Sequence, residues 1–208
     1  MRVGIFGGTF DPVHYGHLIV ADQAREQAVL DQVWFVPSAR PPHKVDRTVT
    51  PFDRRAEMLT LALAGHEDKF RVDTVEKDRA GPSYTADTLD AFAQSHPDTE
   101  WYLILGADSV RDLPGWHEPV RIIDRATILA AGRPGHPVWS AAELAGALGV
   151  DAARVRLRVV DVPLIDIASR DLRRRAADGR SLLFQLPRAV EVYIGEKRLY
   201  KPAAPARA

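Results

Sequence analysis

Short apolar runs alternate along the chain with stretches of helical periodicity, and no other feature restricts the fold as much. The runs cover residues 3–6, 33–37, 71–75, 101–105, 127–131 and 157–162. They are rich in β-branched and aromatic residues and mostly continuous, as strands covered on both faces are. Helices are expected between them. One runs over about 16–29. A second opens at Thr50-Pro51-Phe52-Asp53, read as a capping box with proline at the first helical position, and carries Ala56, Leu59 and Leu63. A third follows Ser83-Tyr84-Thr85, with Ala86, Leu89, Phe92 and Ala93 as its apolar stripe. Such alternation needs right-handed crossovers and a parallel sheet. The fold class expected is α/β, a doubly wound Rossmann-like parallel sheet, which binds ligands outside the carboxyl ends of its strands. The loops after Phe6, Pro37 and Leu105 then share one functional edge.

Residues 164–200 read as helices only, with Ser169 as an N-cap candidate and Pro187 at the start of a further helix. The expected organisation is an α/β domain over 1–163 and a small helical C-terminal segment of the same domain over 164–201, packed near the functional edge. A Pro/Ala-rich tail over 202–208 is expected to be disordered.

At 208 residues and 46% hydrophobic the chain is long enough to bury a core without covalent staples. It contains no cysteine, which excludes disulfide frameworks, thiolate zinc sites and a cysteine nucleophile together. No apolar run approaches the roughly 18 residues of a membrane span. The opening MRVGIFGG is too short in its apolar part for a signal peptide, so a soluble, cytoplasmic protein is expected. The 28 basic and 28 acidic residues cancel, so neither nucleic acid nor a membrane is expected as a partner. Residues 151–208 hold 13 Lys/Arg against 7 Asp/Glu, a surplus that suits solvated helices, an anionic small ligand or a nucleic-acid surface alike. A homo-oligomer stays open.

The chemistry concentrates in the run Gly7-Gly8-Thr9-Phe10-Asp11-Pro12-Val13-His14-Tyr15-Gly16-His17, between the first strand and the first long helix. Gly7 and Gly8 either let backbone amides approach an oxyanion or simply make a tight turn. The helix N-terminus adds about half a positive charge and free N–H donors. His14 and His17, three apart, share one face of the first turn, and Gly16 between them lets a ligand lie flat against the helix start. Together these features suit a polyphosphate with a base attached. For a metal, no third ligand stands at a typical spacing. Neither the Lys-Ser/Thr of a Walker loop nor a G-x-G-x-x-G follows the strand.

With the motifs that come after it, this run resembles the nucleotidyltransferase superfamily with an H-x-G-H signature, and more narrowly the bacterial nicotinate-nucleotide adenylyltransferases. The likeness extends in order over nearly the whole chain. Pro37-Ser38-Ala39-Arg40-Pro41-Pro42-His43-Lys44 matches the family's proline-rich loop, and Ser83-Tyr84-Thr85-Ala86-Asp87-Thr88-Leu89 its Ser-Tyr-Thr segment. Gly106-Ala107-Asp108-Ser109 follows the fourth strand, then Leu113-Pro114-Gly115-Trp116, and Arg133-Pro134-Gly135 closes the fifth. Ile167-Ala168-Ser169-Arg170-Asp171-Leu172-Arg173 stands where the family carries an Ile-Ser-Ser-Thr-x-Ile-Arg type motif, with Arg170 in place of the usual threonine.

The resemblance implies adenylyl transfer from ATP to nicotinate mononucleotide, giving deamido-NAD and pyrophosphate by direct in-line attack, with Mg²⁺ arriving with ATP. It gives catalytic parts to His14, His17, Lys44 and Arg173. ATP contacts are implied for Gly7, Gly8, Thr9, Phe10, Gly106, Asp108 and Ser169 as well as His14, His17 and Arg173. Thr9, Lys44, Tyr84, Thr85 and Trp116 are implied for the mononucleotide. Read as residues, several of these have a second meaning. Asp108 is equally a helix N-cap, Trp116 a core tryptophan, Lys44 a solvated lysine and Ser169 a purely structural cap. Arg173 has rivals in Arg174 and Arg175, and Arg170 either joins a phosphate clamp or points to solvent. A dual-specificity enzyme that also takes nicotinamide mononucleotide is the nearest alternative. A non-catalytic nucleotide-binding regulator is a more distant one.

Overall fold

The computed structural model describes residues 1–40, 49–132 and 137–201. The sequence expectations for Lys44, for Arg133-Pro134-Gly135 and for the 202–208 tail lie outside the described residues.

The elements run β1 (Arg2–Gly8), α1 (Tyr15–Gln27), β2 (Gln32–Pro37), α2 (Phe52–Leu63), β3 (Phe70–Val72), α3 (Thr85–Ser95), β4 (Glu100–Gly106) and α4 (Ala107–Asp112). They continue with α5 (Pro119–Arg125), β5 (Ala126–Gly132), α6 (Ala141–Leu148), β6 (Leu157–Asp161), α7 (Ser169–Ala177) and α8 (Arg188–Glu196). The six strands form one sheet in the order β3-β2-β1-β4-β5-β6, and every neighbouring pair is parallel. The chain winds outward from β1 to β3, then returns to place β4 on the other side of β1. That reversal makes the carboxyl ends of β1 and β4 the switch point, where an open parallel sheet leaves a crevice.

Strand periodicity divides the core into two layers, because successive side chains point to opposite faces. Val33 and Phe35 pack on one side with Ala21 and Ala24 of α1, Met58 and Leu59 of α2, Leu172 of α7 and Val190 of α8. Trp34 and Val36 pack on the other with Leu89 and Phe92 of α3, Ile122 and Ile123 of α5 and Leu144 of α6. Both faces are covered, which is why the strands read as continuous apolar runs.

Four local expectations are corrected. The third strand stops at Val72 rather than Val75, because Asp73 turns the chain: its N–H donates to the Phe35 carbonyl and its Oδ1 accepts the Val75 N–H. There is no capping box at α2; Pro51 is the extended N-cap residue, and its carbonyl takes the N–H groups of Arg54 and Arg55. Ser169 is the first residue of α7 rather than its cap, a position Ala168 fills, and its hydroxyl is spent elsewhere. The stretch 164–200 is also not helix throughout, since 162–168 and 178–187 connect β6, α7 and α8 without α-helix. Helix α6 carries a local start signal of its own: Ser140 and Glu143 form a capping box ahead of its apolar run.

Candidate active site

The glycines at the end of β1 open directly onto the switch-point crevice. A cavity of about 560 Å³ lies there, walled by Gly7, Gly8 and Thr9 from the β1 end, Ser38 from the β2 end, and Tyr84, Thr85 and Thr88 from α3. Gly115, Trp116 and His117 close its outer side. Of the residues expected in the site, the cavity therefore gathers Gly7, Gly8, Thr9, Tyr84, Thr85 and Trp116. A Cβ at Gly7 would meet nothing within 4 Å, so the backbone there is open to a ligand. Gly8 has a different reason. Its Cβ would stand 2.9 Å from the Phe10 ring, which fills the space itself.

His14 and His17, at the start of α1, are not among the residues that line this cavity. His14 is the extended N-cap residue, φ −149° and ψ 169°, and is buried. Its imidazole stacks on that of His17 with centroids 3.7 Å apart. The His14 backbone N–H donates to Nδ1 of His17 at 3.3 Å. That acceptor role puts the proton of a neutral His17 on Nε2, a tautomer that presents a donor on the far side of the ring. The edges of Phe6 and Phe10 hold the same imidazole, at centroid distances of 6.2 and 5.1 Å. Phe10 is buried with φ 49°, so its ring is a wall beneath His17, and what it can offer a nucleotide is backbone. Gly16 is also explained from inside: a Cβ there would lie 3.0 Å from Nδ1 of His14. The expectation that it clears a flat seat for a ligand gives way to its making room for the imidazole.

The loop over 9–12 is held from beneath and from the C-terminal helices. Arg55, from α2, donates to the carbonyls of Thr9, Ser38 and Thr50, each at 2.8 Å. Arg173 of α7 donates to the Asp11 carbonyl at 2.7 Å, and Ser169 to the Pro12 carbonyl at 2.9 Å. Helix geometry distributes the neighbouring arginines differently. Arg174 pairs with Asp171, and Arg175 donates to the Ser181 carbonyl. Arg170 is exposed.

Gly106 and Asp108 stand at the end of β4, both exposed. Asp108 is the second residue of α4 with Gly106 as N-cap, so the capping meaning of Asp108 is ruled out. On the far wall, Tyr84 is the N-cap of α3 and stacks on His117 at 4.1 Å. The buried Glu76 carboxylate, which no sequence pattern marked, accepts the Ala39 N–H at 3.3 Å and the Thr88 hydroxyl at 2.8 Å, tying the β2 loop to α3. Among the described residues no group of three or more His, Cys, Asp or Glu is placed to hold a metal ion, and no helix is long and apolar enough to cross a membrane.

Comparison with known proteins bears on this arrangement. The cytidylyltransferase-like family matches residues 5–175, a span that runs from within β1 into α7. A Thermomicrobium roseum protein named probable nicotinate-nucleotide adenylyltransferase is 46% identical over 200 residues, covering 96% of this chain and 92% of that one. A protein of the same name from Thermus thermophilus is 44% identical, with 97% and 100% covered. The solved nicotinic acid mononucleotide adenylyltransferase of Plasmodium falciparum, complexed with NaAD, superposes with a TM-score of 0.77 over 96% of this chain and 97% of that chain. At 20% identity that likeness speaks for the fold.

The role found for Gly16 has a measurable consequence. Alanine favours a helix by about 1 kcal/mol over glycine, so Gly16→Ala is expected to leave thermal stability unchanged or raise it. The same methyl group displaces the stacked imidazoles, and affinity for a nucleoside triphosphate is expected to fall about tenfold, as read by titration calorimetry.

Proposed function

Since the chain belongs to the cytidylyltransferase-like family and, with relatives that it matches over nearly its full length, to the nicotinate-nucleotide adenylyltransferases, we propose that it joins ATP and nicotinate mononucleotide to give deamido-NAD and pyrophosphate, a step of NAD biosynthesis. The observation that carries this reading is a juxtaposition. A stacked imidazole pair at a helix N-terminus ends the run whose Gly7, Gly8 and Thr9 line a cavity that is also walled by the start of a second helix and a tryptophan.

The chemistry asks little of side-chain nucleophiles. A phosphate monoester has a second pKa of about 6, so the mononucleotide is already a dianion at neutral pH. One of its oxygens attacks the α-phosphorus of ATP, a new P–O bond forms, and the bond from that phosphorus to the bridging oxygen of the β-phosphate breaks. The electron pair leaves with pyrophosphate. The protein has to bring two anions together, align them and stabilise the charge on the departing group.

His17, donating from Nε2, is assigned to the reacting phosphoryl group, with His14 stacked behind it. The backbone of Gly7, Gly8, Thr9 and Phe10 lines the path of the triphosphate. Arg173 and Lys44 brace the phosphates, and Ser169 supports them through the Pro12 carbonyl. Gly106 and the exposed Asp108 suit the ribose and adenine of ATP. At the other end, the N–H groups at the start of α3, at Tyr84 and Thr85, suit the nicotinate carboxylate, and Trp116 suits its ring. Such donors accept a carboxylate and discriminate against an amide. Mg²⁺ fits as part of the substrate: it prefers phosphate oxygens and keeps its waters, and the described residues assemble no carboxylate cage of their own. The cytoplasm, where ATP is made and used, is the compartment that suits this reaction.

Pyrophosphate release from ATP with nicotinate mononucleotide, run beside nicotinamide mononucleotide, tests the reading. Release with neither overturns it, and equal rates with both give the dual-specificity enzyme. His17→Ala is expected to lower kcat by about 10²–10³ with both KM values little changed, because its contact strengthens in the transition state. Trp116→Ala is expected to raise the KM for the mononucleotide about tenfold, the size of one lost ring stack, and to leave the KM for ATP alone.

A further inference from the structure

Asp11 belongs to the run that carries the phosphate chemistry, yet it faces away from the cavity. It is buried, and each of its oxygens is committed to another part of the chain. Oδ1 accepts the Tyr200 hydroxyl at 2.7 Å, Oδ2 accepts the Thr50 N–H at 3.2 Å, and the carbonyl accepts Arg173 at 2.7 Å. Two residues earlier, the Thr9 carbonyl accepts one arm of Arg55. The stretch 9–12 is therefore fixed at both ends by groups that lie outside the cavity.

We propose that Tyr200 and Arg55 are positioning residues for adenylyl transfer, acting through Asp11 and the Thr9 carbonyl to hold the 9–12 loop, and with it Arg173, at the height at which phosphates are met. The inference rests on the reaction proposed above. Neither residue lines the cavity. Arg55 is 1% exposed and buried beneath the loop, and Tyr200 packs over Met58 on the α2 side.

The geometry is specific to this role in two respects. Tyr200 sits at φ 65°, a left-handed conformation that costs an ordinary side chain about 1–2 kcal/mol and persists where its surroundings hold it. Its hydroxyl is the group that this conformation delivers to Asp11. Burial and the neighbouring carboxylate push the phenol well above its ordinary pKa, so it remains a donor wherever the protein is folded. Arg55 for its part joins three carbonyls that belong to three different segments: Thr9 in the glycine loop, Ser38 on the cavity wall, and Thr50 before α2. A planar fork can serve three acceptors at once, whereas an ammonium presents one compact charge. Thr50 closes the circuit, since its carbonyl binds Arg55 while its N–H binds Asp11.

The test is Tyr200→Phe in the full chain, which removes one oxygen and keeps the ring. The expected result is a kcat/KM for ATP about tenfold lower, a tenth of the effect that a 1 Å misplacement can have. The KM for nicotinate mononucleotide should stay within about twofold, since the bond removed is the one to Asp11, while the Arg55 contact to Ser38 and the Glu76 link to α3 are kept. A merely structural tyrosine would lower the melting temperature and leave the folded protein's kcat/KM for ATP within about twofold of the parent, which overturns the proposal. Arg55→Lys gives a second reading should the phenylalanine variant not fold: charge is retained, the three-way fork is lost, and a kcat/KM for ATP lower by at least about tenfold is expected, here with the Ser38 wall loosened as well. Titration with ATP alone separates this inference from the reading of the reaction. Weakened ATP binding in Tyr200→Phe supports the positioning role even if the second substrate is another mononucleotide. Unchanged ATP binding and unchanged kcat/KM in both variants reject it.

Discussion

Taking a guanidinium out of water costs several kcal/mol unless its donors are satisfied, and the Arg55 side chain is almost wholly out of water. Desolvation lowers its pKa, opposed by the negative field of Asp11 and Glu76. What offsets the cost is geometry: all three nitrogens reach carbonyls at 2.8 Å. The three segments so joined carry the glycine loop, the end of β2 and the entry to α2. Once they are fixed, the loop has a defined route from β1 to the His14 cap, and the switch-point crevice has a floor. The parallel sheet provides the crevice; the buried arginine determines the shape of its rim.

On that rim the two histidines are arranged by the protein's own rings and by one backbone hydrogen bond. His17 is fixed in tautomer by the His14 N–H and in orientation by Phe6 and Phe10. A donor held this way needs no reorganisation as charge develops on a phosphoryl group, which is where preorganised sites gain most over water. The opposite wall is built differently. There Glu76 and Thr88 tie the β2 loop to α3, and Ser83 exchanges hydrogen bonds with Arg40; the two sides of the cavity meet at the Ser38–Ala39 peptide, whose carbonyl binds Arg55 and whose N–H binds Glu76.

Much of this was legible in the chain before any coordinates. Each of the six strands overlaps an apolar run, and the four inner ones, β1, β2, β4 and β5, are mostly buried, as strands covered on both faces are; the edge strands β3 and β6 are more exposed, and β3 is where the bounds differed. The eleven-residue run from Gly7 to His17 likewise stands where β1 ends and α1 begins, and its Gly7, Gly8 and Thr9 line the cavity. What sequence could not resolve is which way a small residue makes room. Gly8 and Gly16 look like clearance for a ligand, yet they clear Phe10 and His14. Long-range polar contacts are equally silent: nothing local marks Glu76, Arg55 or Tyr200, whose partners lie far along the chain. The Ser169 hydroxyl shows the same limit. It satisfies the composition of a cap and bonds instead to Pro12, 157 residues away. The choice among Arg173, Arg174 and Arg175 had to wait for the position of α7.

The hydrogen bond from Tyr200 to Asp11 spans 189 residues of sequence. Contacts of such separation close late, because the entropy of ordering the intervening chain has to be overcome before they form. Every strand pairing is shorter in sequence, the widest joining Arg2 of β1 to Glu100 of β4. A chain cut before Tyr200 would therefore keep the partners of all six strands and lose this one brace on the loop.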